Sequence, residues 1–349
     1  MNIAFIIPSN RNKGPNIFVK NLTEALCKQN LNIDILYFEH INNGLTFNNF
    51  RLIKFFGKES LRDYDIVFTT MLKPDLYGLY KRKSIKNHVV SIHNFIKEDL
   101  AFNYKYPKHI LLYYLWRLAL KYSNHLICSS NYQATYYQEL LTQKKIFIIP
   151  YGLPERKEVT KRREIRQKHS SFFEGDNIII GSCGNLIKRK GFHDIINSLL
   201  LLPSNFKLVL IGSGDYGFHL HELVGQNHLE NRVLFIPETY SYYQYYEHFD
   251  VYCQASYSEG FGLALIEAFQ KSIPCAITDL DIYKESIPNK YVQKFPVGNS
   301  LKMARSLKHL YLNHKSYRNL SRKLFENSFS INNSASRHFD IFSDIIIKS

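Results

Sequence analysis

The chain has 349 residues, 45% of them hydrophobic, with 45 Lys/Arg against 30 Asp/Glu and a formal net charge of +15. This length suits two domains of ordinary size, and the apolar content excludes a disordered chain. No apolar run reaches the roughly 18 residues a membrane-spanning helix needs, and the five scattered cysteines form no CxxC or Cys/His cluster of the zinc or redox kind.

In chain order, residues 2–8 read as a buried first strand rather than a signal peptide. A loop with Asn10, Gly14 and Pro15 leads into a helix over 17–29. Strands follow at 32–38, 65–70 and 89–93, then a helix at 113–122 and strands at 126–129 and 146–149. Residues 154–171 are charged and nearly free of apolar side chains, which predicts a linker and a solvated helix. The alternation then restarts, with strands at 177–183, 207–211, 232–236, 250–253 and 275–278, a helix at 192–202 and a final helical region at 300–347. Strands alternating with helices in both halves predict two doubly wound parallel sheets, α/β in class, with a ligand cleft between them.

The most informative segment is YSEGFGLALIEAFQKSIPC, residues 257–275. Glu259 sits in a Glu-Gly-Phe-Gly turn made by Gly260, Phe261 and Gly262, and Glu267 lies eight positions on in an apolar helical run. A carboxylate in such a run is costly to bury without hydrogen-bond donors. The glycines let backbone approach a ligand, and the helix start that follows favours anions. Upstream, GSCGNLIKRKG (181–191) places small and basic residues at a strand-to-helix turn, a cradle suited to a diphosphate.

These residues resemble the EX7E motif and diphosphate loop of retaining glycosyltransferases of family 4, of the type that builds bacterial surface polysaccharides. The resemblance extends over nearly the full length. It implies a GT-B fold: an acceptor-side Rossmann-like domain at 1–155, a nucleotide-sugar-binding domain at 156–330, and a C-terminal helix at 331–349 returning to the first domain. It implies that Glu267 accepts the ribose hydroxyls and that Glu259 binds the donor sugar. Lys190, with the Gly14 loop and the helix start after Gly262, holds the leaving diphosphate, and His93, after the strand VVSIH, orients the sugar. The family's Gly-Arg is Gly184-Asn185 here, which leaves three readings: Lys188 or Arg189 compensates, the leaving group depends more on backbone amides, or activity is weakened or lost.

The implied reaction transfers a sugar from a nucleoside diphosphate to a hydroxyl of a growing glycan, lipid-linked or free, as in lipopolysaccharide, capsule or exopolysaccharide assembly. A non-catalytic partner subunit and a sugar-nucleotide epimerase of the same fold are the alternatives. No metal or cofactor is expected beyond the nucleotide-sugar co-substrate. Asp63 and Asp65 form a DxD, but in a turn-into-strand context. Nucleic-acid motifs are absent. Cysteine usage suits a reducing cytoplasm. Residues 1–150 carry about +10 of the net charge. With Lys81, Arg82, Lys83 and Lys86, the aromatic stretch 104–116 is either a peripheral contact with an anionic membrane or an ordinary buried helix.

Overall fold

A computed structural model of the chain describes residues 1–29, 31–155, 165, 168–237 and 242–348. They gather into two compact units, Met1–Pro154 with Ser328–Ser349, and Glu155–Asn327. The first chain crossing falls where the charged stretch begins, and most of that stretch (156–164 and 166–167) lies outside the described residues.

The first unit is built on strands β1 (Asn2–Ser9), β2 (Asn32–Glu39), β3 (Phe50–Leu52), β4 (Ile66–Thr70), β5 (His88–Ser91), β6 (His125–Cys128) and β7 (Lys145–Ile148). All pair in parallel, in the order β3-β2-β1-β4-β5-β6-β7. Ile3, Ala4, Phe5, Ile6 and Ile7 are buried in succession, the pattern of a strand covered on both faces. The covering helices are α1 (Gly14–Leu26), α2 (Leu72–Tyr80), α3 (Ile96–Asn103), α4 (Lys108–Tyr122) and α5 (Asn131–Leu141). The sequence predicts no helix at α2, α3 or α5; in α2, Pro74 sits in the first turn, where its missing N–H costs nothing.

A buried polar bolt joins this layer. Asp75 of α2 accepts hydrogen bonds from Thr69 Oγ1 (2.6 Å) and from Trp116 Nε1 on α4 (2.8 Å). Burial pushes the Asp75 carboxyl up to about 7, against the lowering effect of those two donors.

The second unit contains β8 (Ile178–Cys183), β9 (Phe206–Ile211), β10 (Val233–Ile236), β11 (Val251–Gln254), β12 (Cys275–Thr278) and β13 (Gln293–Phe295). Their order is β10-β9-β8-β11-β12-β13, again all parallel. Its helices are α6 (Phe192–Leu199), α7 (Gly217–Gln226), α8 (Leu263–Gln270), α9 (Asp281–Ser286), α10 (Ser300–Leu312) and α11 (His314–Leu324). Ile195 and Leu199 of α6 and Leu307 of α10 pack with Ile180, Leu208 and Val251 of the sheet in one apolar core. The expected single helical region at 300–347 is broken at Asn313 and by a π-turn at Phe325–Phe329. The last helix, α12 (Ile331–Ile347), packs on α1 within the first unit. The two strands not foreseen, β3 and β13, are three-residue edge strands, too short to show a period.

In each sheet the chain winds outward in one direction, then restarts from the middle in the other. The order reverses between β1 and β4 in the first unit and between β8 and β11 in the second. Crevices at the carboxyl ends of strands flanking such a reversal are where open α/β sheets bind ligands.

Candidate functional site

The loops leaving β8 and β11 meet at the second unit's reversal point. Ser182 of β8 donates to the carbonyl of Cys253 on β11 (2.7 Å). Beyond β8, residues Lys188–Lys190 form a single 3-10 turn closed by Gly191 at φ 66°. A Cβ on Gly191 would lie 2.0 Å from the Ala255 carbonyl oxygen, so only glycine lets the basic turn seat on the loop after β11. Three further contacts fix it there. Tyr257 N donates to Arg189 O (2.8 Å), the Arg189 guanidinium donates to Ser258 O, and Lys190 Nζ bonds Glu259 Oε1 at 2.6 Å.

Glu259 is buried, 6% exposed. Its Oε1 also accepts from Ser256 Oγ (2.6 Å) and, more distantly, from Gln254 Nε2 (3.4 Å). Burial alone would raise this carboxyl. The Lys190 charge and hydrogen bond, the Ser256 hydroxyl and the Arg189 charge together outweigh it, and the pKa lies below the ordinary value. Glu259 is therefore ionised at neutral pH. None of these bonds reaches Oε2, which remains an acceptor for an incoming hydroxyl.

The turn between Glu259 and α8 is equally constrained. Gly262 caps α8 at φ 92°, where a Cβ would lie 2.7 Å from Gln254 Nε2. Phe261 is buried, and its carbonyl accepts from the Tyr283 hydroxyl at 2.8 Å. Gly260 is half-buried between Glu259 and Phe261. The first turn of α8 opens beside the Lys190–Glu259 pair, where N–H groups lack carbonyl partners within the helix.

Glu267 finds its donors within the protein. It is buried on α8, and both carboxylate oxygens already accept tyrosine hydroxyls, Tyr242 at Oε1 (2.8 Å) and Tyr246 at Oε2 (3.1 Å). The sequence points to a buried acid needing donors but not to their source. The tyrosine-rich run before β11, with Tyr242 and Tyr246 four apart, is the only signal. Ser256, Gln254 and Tyr283 were likewise not assigned a role. Asn185 and Lys188 are exposed on the β8 loop, and Gly184 (φ 152°) has no atom within 3.8 Å of where a Cβ would stand. The Gly212-Ser213-Gly214 turn after β9 is structural. Cβ positions there would strike Gly184 O at 1.9 Å and Leu186 O at 2.5 Å.

In the first unit, Gly14 opens α1, directly after the loop leaving β1. His93 lies two residues beyond β5. Its Nδ1 is 2.6 Å from the Tyr151 hydroxyl, and the two rings stack at 5.3 Å with Phe18 edge-on. Burial, helped by the neighbouring His338, lowers His93 to about 3, so the ring is neutral at physiological pH. Its Nε2 is buried without a hydrogen-bond partner. Asp65 accepts from Asn2 N (2.8 Å) and pairs with Lys86 at 3.6 Å. That ties the DxD to the amino ends of β1 and β4, away from the carboxyl ends where ligands bind. Among the described residues no helix is long and apolar enough to cross a membrane.

Comparison with known proteins places this geometry. Residues 33–156 match the family described as Glycosyltransferase Family 4, and residues 162–326 match Glycosyl transferases group 1. The chain is 26% identical over 294 residues, 82% of each chain, to the O-antigen biosynthesis glycosyltransferase WclY of Escherichia coli. Its fold superposes on Anabaena HepE in complex with UDP and glucose (TM-score 0.80, 16% identity, 99% of this chain and 100% of that one). It also superposes on sucrose-phosphate synthase of Thermosynechococcus elongatus (TM-score 0.81, 18% identity, 100% of both). With the two family matches spanning both parallel-sheet units, the chain belongs to the GT-B glycosyltransferases with a family 4 first domain and a group 1 second domain.

Proposed function

We propose that the protein is a retaining glycosyltransferase that moves a hexose-type sugar from a nucleoside diphosphate to a hydroxyl of a bacterial surface glycan such as O-antigen. The observation that carries this reading is the buried, ionised Glu259, held by Lys190 and Ser256 at the strand-order reversal of the second sheet. The O-antigen biosynthesis role of WclY supports the glycan setting, and the UDP and glucose bound by HepE support the donor class.

In this reading Glu259 Oε2 accepts a hydroxyl of the donor sugar, while Oε1 keeps Lys190 in place. The Lys190 ammonium, the Arg189 guanidinium and the first turn of α8 face the diphosphate, with Lys188 adding charge where Asn185 replaces the family's arginine. Glu267, braced by Tyr242 and Tyr246, binds the ribose hydroxyls. The bond from the anomeric carbon to the phosphate oxygen breaks, and its electron pair leaves with the diphosphate. The acceptor oxygen bonds that carbon from the same face, and its proton passes to the departing phosphate oxygen. Configuration is kept, and no carboxylate base is needed. His93 is neutral, so its buried Nε2 orients the sugar rather than exchanging protons. The charge that a metal could supply comes from side chains and helix, so the reaction proceeds without a cofactor.

Thermal melting of the purified protein with UDP, GDP, ADP and CMP and their sugar conjugates, with and without EDTA, tests this. A selective rise that survives EDTA is expected with one nucleoside diphosphate and its sugar conjugates. Absence of any shift would instead favour a non-catalytic subunit, for which Asn185 is the specific pointer.

A further inference from the structure

Helix α4 is apolar on two sides. Trp116, Ala119 and Leu120 face the core, as an amphipathic helix requires. The opposite face carries Ile110, Leu111, Tyr114, Leu115, Leu118 and Tyr122, and all six are exposed, from 38% for Leu115 to 62% for Leu111. At 3.6 residues per turn these six cover an arc of about 140°. On the same helical projection, Arg117 borders one flank of the arc, Lys121 sits just inside that flank and Lys108 borders the other.

The surroundings extend this face. The Arg82 guanidinium lies over the Tyr122 ring at 5.2 Å. Beyond it, Phe55, Leu76, Leu79 and Tyr80 line an open hollow of about 380 Å³ rimmed by Arg82 and Lys83. Between Leu100 and Gln138 the chain has four Lys/Arg and not one Asp or Glu. A helix with this much exposed apolar surface is unfavourable in water and marks an interaction site. The ring of like charge opposes covering it with a second copy of the same chain. Apolar side chains bordered by cations, with no acid among them, complement an anionic lipid surface: the apolar arc enters the acyl boundary and the cations meet the headgroups.

We propose that the outer face of α4, with the basic turn Arg82–Lys83 beside it, docks the protein on an anionic lipid bilayer. The argument uses only the first unit and stands whether or not the transfer reaction assigned above is correct.

Vesicle flotation tests it, comparing full-length protein on phosphatidylcholine vesicles containing phosphatidylglycerol with pure phosphatidylcholine vesicles. Binding to the anionic vesicles alone is expected, weakening severalfold as salt rises from about 0.1 M to about 0.5 M. Leu111→Ser with Leu118→Ser should lower the anionic-vesicle affinity at least about tenfold, since several buried methylenes are lost. Arg82→Gln with Lys83→Gln should lower it about tenfold and flatten the salt dependence. All four positions are exposed, so the melting temperature should not move, which separates lost docking from misfolding. Undiminished binding by the leucine pair, or equal binding to neutral vesicles, would overturn the proposal. So would concentration-dependent dimerisation in sedimentation velocity that the leucine pair abolishes, since a second copy would then cover the face.

Discussion

Lys190 and Glu259 depend on each other in a way that separates stability from chemistry. Removing the ammonium leaves a buried carboxylate with Ser256 and Gln254 as neutral donors and Arg189 farther off. Lys190→Ala should therefore destabilise the second unit by about 3 kcal/mol, as breaking a buried ion pair does. The effect should depend on pH. The folded pKa of Glu259 is depressed below its ordinary 4.5, so its stabilising contribution is present above that value and is lost as pH falls through the folded pKa. The difference in melting temperature between wild type and Lys190→Ala should shrink as pH falls below 4.5 toward the depressed folded pKa. A difference that stays constant down to acid pH would show that the pair is not what stabilises the loop. Glu259→Gln keeps the Ser256 contact and the shape but removes the charge. It should cost turnover about 100-fold, the scale of losing one preorganised electrostatic contact.

At the scale of elements, the site exists because two loops approach within the reach of a single methyl group. Gly191→Ala tests this without touching any charged side chain. The left-handed backbone costs about 1–2 kcal/mol for a residue with a Cβ. The Cβ would in addition meet the Ala255 carbonyl at 2.0 Å, a backbone atom that cannot turn aside. The variant should melt lower and lose nucleotide-induced stabilisation together, read by melting with and without the nucleotide. Unchanged nucleotide response in a folded variant would mean that the seating of the basic turn is irrelevant to binding. The Asp75 bolt makes a comparable claim for α4. Trp116→Phe leaves one buried carboxyl oxygen without its donor and should cost about 1–3 kcal/mol.

For the whole molecule, the two units should respond differently to acid. Burial holds His88 and His93 at about 3 and His125 and His338 at about 4, against an ordinary 6.5, and all four belong to the first unit. The unfolded chain takes up these protons first, so the unit loses stability as pH falls from 6.5 toward those values. Asp75 acts in the opposite sense between about 7 and 3.8, one group against four. In the second unit His169 and His193 are lowered too, but both are only partly buried, and Glu259 matters only below 4.5. Acid should thus unfold the first unit first. The single tryptophan, Trp116, lies in that unit. Its emission should shift at higher pH than the bulk of the far-ultraviolet ellipticity is lost, and coincident transitions would refute the ordering.

Local patterns decided what local physics controls. Unbroken apolar runs such as Ile3–Ile7 identified most of the strands. Glycines at forced turns, Gly191 and Gly262, together with Glu259 eight residues before Glu267, carried the family resemblance. Each of these depends on residues within one or two turns of chain. Strand order does not. Only the tertiary structure set β8 beside β11, some 70 residues apart, and so brought Lys190 onto Glu259. Only it gave Glu267 its tyrosine donors, bound Asp65 to the amino end of β1, and turned one apolar face of α4 to solvent. The physical reason is common to all four. The period of a segment fixes which residues share a face, but what that face meets is settled by packing between distant segments.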